Sequence, residues 1–138
     1  MDQTVLLITA AARAAALWTG LNLLTLLALA FLVVRARQTH KVMLGDQNVP
    51  ELTRAVRVHG NATEYVPALL ASLAVLVAVG ASQYVIHAVG ALTFFGRVLH
   101  AFGLSRNSGV TRGRLIGTVL TWLAFIVAGL ALLYYAAI

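Results

Sequence analysis

Arg57, Asn61 and Glu64 follow one another at i, i+4 and i+7, so a helix carries all three on one face with Tyr65 beside them. A guanidinium, an amide and a carboxylate in one line can hold a small ligand that carries charges of both signs. Arg97 and His100 lie one turn apart farther along the chain, and Arg112 and Arg114 precede its last apolar stretch. Arg35 and Arg37 close the first apolar stretch. The chain has no cysteine, which excludes disulfides, thiolate metal sites and a cysteine nucleophile. Any thiol chemistry must therefore enter with a substrate. The four histidines show no metal-ligand spacing such as HExxH, so no metal is expected.

The elements that must position these groups are membrane helices. Of 138 residues 61% are hydrophobic and 10% charged, a composition that no water-soluble domain of this size can bury. Three uncharged runs stand out, residues 14–34, 65–96 and 115–138. A span takes roughly 20 helical residues. The middle run, 32 residues long, is too long for one span and too short for two, so two helices must extend into polar flanks. The reading is an all-α integral membrane four-helix bundle, one domain over residues 1–138. Met1-Asp2-Gln3 lacks a basic leader region, and the first helix is expected to remain in place.

Breaks fall in a loop at residues 35–53 (Gly45-Asp46, Asn48, Pro50), near residues 80–84, and at residues 105–113. Glu51 falls inside the first of these. Helix 1 is expected to reach about Val34. Arg13 reads as a basic side chain snorkelling to the outer interface, and Asn22 as an amide bonded to a neighbouring helix. His59 lies near the polar face, and His40 and His87 receive no role.

The net charge is +6, and nine of the ten Lys and Arg residues sit around two connections: Arg35, Arg37, Lys41, Arg54 and Arg57, then Arg97, Arg106, Arg112 and Arg114. The connection at residues 80–84 and the C-terminus carry none. This asymmetry predicts a multi-pass cell-membrane protein with both termini outside and the basic loops cytoplasmic. It reports topology and anionic partners, and nucleic acid is not expected. With the outer turn at residues 80–84 and about 1.5 Å of rise per residue, Glu64 and His100 lie about 24 Å below it and Arg97 about 20 Å. A carboxylate at that depth is expensive unless a basic group pairs with it. The stripe could serve only as a structural ion-pair network, but ionisable groups inside a membrane are functional by default.

The segment Arg57-Val-His-Gly-Asn61-Ala-Thr-Glu64-Tyr65-Val-Pro67 resembles the helix 2 signature, R-x-x-x-N-x-x-E-Y-x-P, of MAPEG proteins, the microsomal glutathione transferases and leukotriene or prostaglandin E synthases. Arg97-Val-Leu-His100 resembles the family's R-x-x-H, and Arg114-Leu-Ile-Gly-Thr118 its helix 4 opening. The small bacterial branch, which reads H-x-N-x-x-E-Y-x-P as residues 59–67 do, is the nearest in pattern. The resemblance implies a homotrimer that holds glutathione between subunits near the cytoplasmic face. It assigns glutathione binding to Arg57, Asn61, Glu64 and Tyr65 on helix 2, to Arg97 and His100 on helix 3, and to Arg35 or Arg37 on helix 1. Arg114, with Arg112 as its rival, takes the place of the arginine that stabilises the thiolate. Leu104 departs from the tyrosine found there in several eukaryotic members, and the loop before Arg114 is longer and glycine-rich.

The implied activity is glutathione transfer to, or peroxide reduction of, lipophilic small molecules that reach the site from membrane lipid, with glutathione as co-substrate. The alternative is a non-catalytic scaffold or small-ligand binder that keeps the fold. A transporter is a weaker reading because no inverted repeat or pair of broken helices is present.

Overall fold

The computed structural model describes residues 3–106, 109 and 111–138, without the side chains of residues 3–8 and 106. The amino-terminal Met1-Asp2, the Arg106 side chain and residues 107, 108 and 110 of the loop expected at 105–113 therefore lie outside the described residues. Four helices follow in order: α1 (Gln3–His40), α2 (Pro50–Ala78), α3 (Gln83–Arg106) and α4 (Arg112–Ala137). All four contain stretches long and apolar enough to cross a membrane.

Two boundaries differ from the expectation. Helix α1 continues past Val34 to His40, so Arg35 and Arg37 belong to its last turns and not to a loop. Residues 35–38 (Arg-Ala-Arg-Gln) are sound helix formers, and Arg37 and His40 complement the negative end of the helix dipole. The helix then closes on Lys41, whose φ of 54° is left-handed, with Val42 N–H donating to the Arg37 carbonyl at 3.0 Å and Val42 itself buried. Helix α2 begins at Pro50, which suits a first helical position where no N–H is needed. Glu51 consequently stands in the first turn of α2, not in the loop, and pairs with Arg54 at 3.2 Å. As expected, α2 and α3 share the middle apolar run and borrow polar flanks, separated by the left-handed Gly80 (φ 76°).

Helices α2 and α3 each touch the other three, whereas α1 and α4 do not meet among the described residues. On α2 the buried side chains Leu52, Val58, Ala62, Val66, Leu69, Leu73 and Leu76 recur at helical spacing and leave the polar stripe on a neighbouring face. Leu69, Leu73 and Leu76 pack with Ile86 and Val89 of α3 and with Ala124 and Ala128 of α4. The α3–α4 contact is close because Gly96 and Gly117 oppose each other. A Cβ on Gly117 would lie 2.5 Å from the Gly96 carbonyl oxygen. Small residues at such crossings let membrane helices gain dispersion energy that lipid does not otherwise provide. Exposed Leu24, Leu27 and Phe31 on α1, and Ile126, Leu130 and Leu133 on α4, face outward, as a lipid solvent allows.

Asn22 corrects its expectation. Its Nδ2 donates to the Trp18 carbonyl of its own helix at 2.8 Å, and its fully buried Oδ1 has no partner among the described residues. The amide folds back one turn instead of crossing to another helix.

Candidate functional site

The close α3–α4 packing fixes the first half of the site. Arg97, on α3, is 2% exposed and distributes its donors over three acceptors. Nε donates to Thr121 Oγ1 at 2.9 Å, one terminal nitrogen to Asn61 Oδ1 at 2.6 Å, and the other to the Gly117 carbonyl at 3.2 Å. Thr121 in turn donates to the Gly117 carbonyl at 2.8 Å. The guanidinium also lies 5.0 Å from the centre of the Tyr65 ring, which packs edge-on against Phe125. One side chain thus ties α2, α3 and α4 together through charge-assisted bonds and a cation–π contact.

Asn61 is the hinge between this network and the second half. Its Oδ1 accepts from Arg97, while its Nδ2 donates to Glu64 Oε2 at 3.4 Å. Glu64 is exposed on the single chain and meets no basic side chain at ion-pair distance among the described residues. The link from carboxylate to arginine runs through the amide.

Around Asn61 a cavity of about 410 Å³ opens, lined by Asn48, Pro50, Thr53, Arg54, Arg57, Asn61, His100, Leu104 and Arg114. Its size is that of a small-molecule site. Three guanidiniums and an imidazole border it, and among the described residues no carboxylate does. Such a lining attracts a ligand with more than one negative charge. Arg114 reaches it from the first turn of α4, where the Thr111 hydroxyl caps the helix by accepting from the Arg114 N–H at 3.2 Å. The dipole of α4 adds to the positive potential at that point. Arg112 also lies in this first turn, is exposed, and does not line the cavity.

The loop between α1 and α2 forms one rim. Asp46 accepts from the Thr53 hydroxyl at 2.7 Å and from the Asn48 N–H at 3.2 Å, and both of those partners line the cavity. These bonds, the Thr53 hydroxyl first, hold the Asp46 carboxyl below the usual carboxylate range. Arg37 donates to the Gly45 carbonyl at 2.8 Å, which anchors the same loop.

The structure therefore brings together Arg57, Asn61, His100 and Arg114 of the residues singled out in the sequence. It places Tyr65 and Arg97 in the adjoining enclosed network and Glu64 at the network's edge. Arg35 lines a different cavity of about 400 Å³ between α1 and α2, shared with His40, Glu51 and Arg54, and Arg37 holds the loop. Sequence reasoning missed Arg54. The signal was present, since Arg54 continues the 57, 61, 64 stripe by one turn toward the N-terminus, but Arg54 entered only as part of the charge asymmetry that sets topology.

The chain matches the MAPEG family over residues 15–134. The chain belongs to the MAPEG family. It is 35% identical over 120 residues, 87% of this chain and 90% of the other, to inner membrane protein YecN of Escherichia coli (strain K12). It is equally similar to the protein of that name in Escherichia coli O6:H1 (strain CFT073). With four apolar helices and an inner-membrane relative, this MAPEG protein is a multi-pass membrane protein of the small bacterial type.

Proposed function

We propose that this MAPEG protein binds glutathione in the cavity around Asn61 and uses its thiol on lipophilic substrates. One observation carries the reading: Arg54, Arg57, Arg114, His100 and Asn61 come from three helices to line a single cavity of about 410 Å³. Glutathione carries two carboxylates, one ammonium and a thiol. The guanidiniums suit the carboxylates, and Glu64, one amide away, is the available partner for the ammonium.

A thiol with a pKa of about 8.5 is mostly protonated at neutral pH. Arg114, with the α4 dipole behind it, stabilises the thiolate by charge. The thiol proton leaves to solvent, the thiolate sulfur forms a bond to the electrophilic atom, and the leaving group departs with its bonding electron pair. With a lipid hydroperoxide the O–O bond breaks instead, and a second glutathione completes a disulfide and releases water. Apolar electrophiles reach the site already concentrated by the bilayer.

A homotrimer completes this proposal. Arg57 and Glu64 are exposed on the single chain although they lie within the apolar span of α2. A charge costs about 3 kcal/mol against lipid at the helix centre and less toward the interface, and a second copy of the chain is the cover that the proposed site requires. The proposed orientation puts the basic loops in the cytoplasm and both termini outside. A cysteine introduced at Ser82, but not at Gln47, should react with an impermeant maleimide in intact cells.

The deciding experiment is the ultraviolet absorbance of bound thiolate against pH for wild type, Arg114→Ala and Arg112→Ala. Wild-type complex should titrate below free glutathione, and the Arg114 variant should titrate higher while still binding. A shift in the Arg112 variant alone moves the role two residues along. Leu104 places no hydroxyl in the cavity wall, and this favours the second reading, a glutathione binder without turnover. Bound glutathione that titrates like the free thiol would establish that second reading.

A further inference from the structure

At the far end of the bundle from the basic loops, Arg13 stands apart from every other cation of the chain. It lies 24 residues before Arg37 on one continuous helix, about 36 Å along the axis. The hydrocarbon core is about 30 Å thick, so the two arginines emerge in opposite headgroup layers. Among the described residues no carboxylate lies within ion-pair distance of Arg13. Asp46, Glu51 and Glu64 all belong to the other end of the molecule.

Arg13 borders a cleft of about 350 Å³ with Ala10, Ala14 and Leu17 of α1 and Gln83 and His87 of α3. The His87 ring is held in place from behind. Trp18 Nε1 donates to His87 Nδ1 at 3.0 Å, and the two rings meet edge-on. An indole nitrogen can only donate, so Nδ1 is the acceptor and the neutral imidazole carries its proton on Nε2. Trp18 is itself fixed by Phe94 and Phe95 and rests on Gly90, where any Cβ would collide with its ring. The cleft thus presents a guanidinium, an imidazole N–H and a side-chain amide at headgroup level. Exposed Leu17 and, two turns below, Leu24 continue from it as an apolar track.

We propose that this cleft holds the phosphate of an anionic phospholipid, with Arg13 and His87 as its donors and one acyl chain lying along Ala14 and Leu17. The charge argument selects the headgroup. Choline and ethanolamine lipids bring an ammonium, for which none of the lining residues offers a carboxylate, whereas phosphatidylglycerol brings none. This site is separate from the cavity around Asn61 and does not depend on glutathione binding.

Trp18 supplies the test. Trp122→Phe leaves it as the only tryptophan, and the protein is placed in phosphatidylcholine vesicles containing rising fractions of phosphatidylglycerol or phosphatidylcholine brominated on the acyl chains. Brominated phosphatidylglycerol should quench Trp18 at about five-fold lower mole fraction than brominated phosphatidylcholine, the preference one basic residue gives near an anionic surface. Arg13→Gln should abolish the preference, Arg13→Lys should keep most of it, and His87→Phe should reduce it. Lys41→Asn, at the opposite face and suited to the left-handed backbone there, should leave it unchanged. Equal quenching by both lipids in the otherwise unaltered protein, or an undiminished preference in Arg13→Gln, overturns the proposal. Excess inorganic phosphate should not reduce the preference. If it removes it, the cleft takes free phosphate and the lipid assignment is overturned.

Discussion

Arg97 bonds Asn61 and Arg57 stands one turn before it on α2, yet the two arginines end in opposite states. Arg97 is enclosed, with three protein acceptors and an aromatic ring around its guanidinium. Arg57 is exposed and borders an open cavity with Arg54 and Arg114. A buried charge whose donors are already matched contributes cohesion and has little left for a ligand. Cations gathered around a cavity without a carboxylate repel one another, and an anion relieves that repulsion. Charge in this bundle is therefore not a single signature: Arg97, enclosed among protein acceptors, reads as architecture, and Arg57, exposed on a cavity wall, reads as a site.

The largest effect is expected where this contrast is sharpest. Arg97→Met removes three hydrogen bonds and strands the Asn61 oxygen, a loss of about 2–4 kcal/mol. A fall in the thermal midpoint in detergent, with or without glutathione, checks it. An unchanged midpoint together with weakened glutathione binding would make Arg97 a ligand group and end the distinction. Arg57→Met should do the reverse. Its thermal midpoint should hold or rise as like charges separate, while glutathione affinity falls at least about tenfold, or ~1.4 kcal/mol, by calorimetric titration.

A smaller effect should separate two carboxylates on the same helix. Glu64→Gln should weaken glutathione binding several-fold. Glu51→Gln should leave it unchanged or tighten it, because Glu51 occupies Arg54, a cavity residue, in an exposed pair worth little to stability. Equal affinities in both folded variants would return the helix 2 stripe to a purely structural role.

The smallest effect concerns the rim. Folding lowers the Asp46 carboxyl below its ordinary value of 3.8. Its contribution is therefore complete above that value and is lost as pH falls through the lower value of the folded state. Asp46→Asn should narrow the difference in amide exchange of the loop at residues 41–49 between pH 6 and pH 3. An identical pH response in the variant would remove Asp46 as the loop's acid-sensitive anchor.

Sequence alone determined the solvent, the number of helices and the identity of the polar stripe. Apolar run length is set by bilayer thickness, and i, i+4, i+7 spacing is set by helical periodicity, so neither needs a neighbour to be known. The motif on α2, with R-x-x-H on α3 and the arginine opening α4, was legible for the same reason. The helix ends at His40 and Pro50 were not. Helix α1 stops where a left-handed Lys41 and a buried Val42 close its last turn, and burial is a property of the folded chain. Only tertiary structure decided which arginine became a bolt and which a cavity wall. The opposed Gly96 and Gly117 bring α3 and α4 so close that Arg97 is sealed between Thr121, Gly117 and Asn61, whereas Arg57, Arg54 and Arg114 border a cavity of about 410 Å³ among the described residues. Spacing places a side chain on a face; what stands opposite that face depends on how the helices pack.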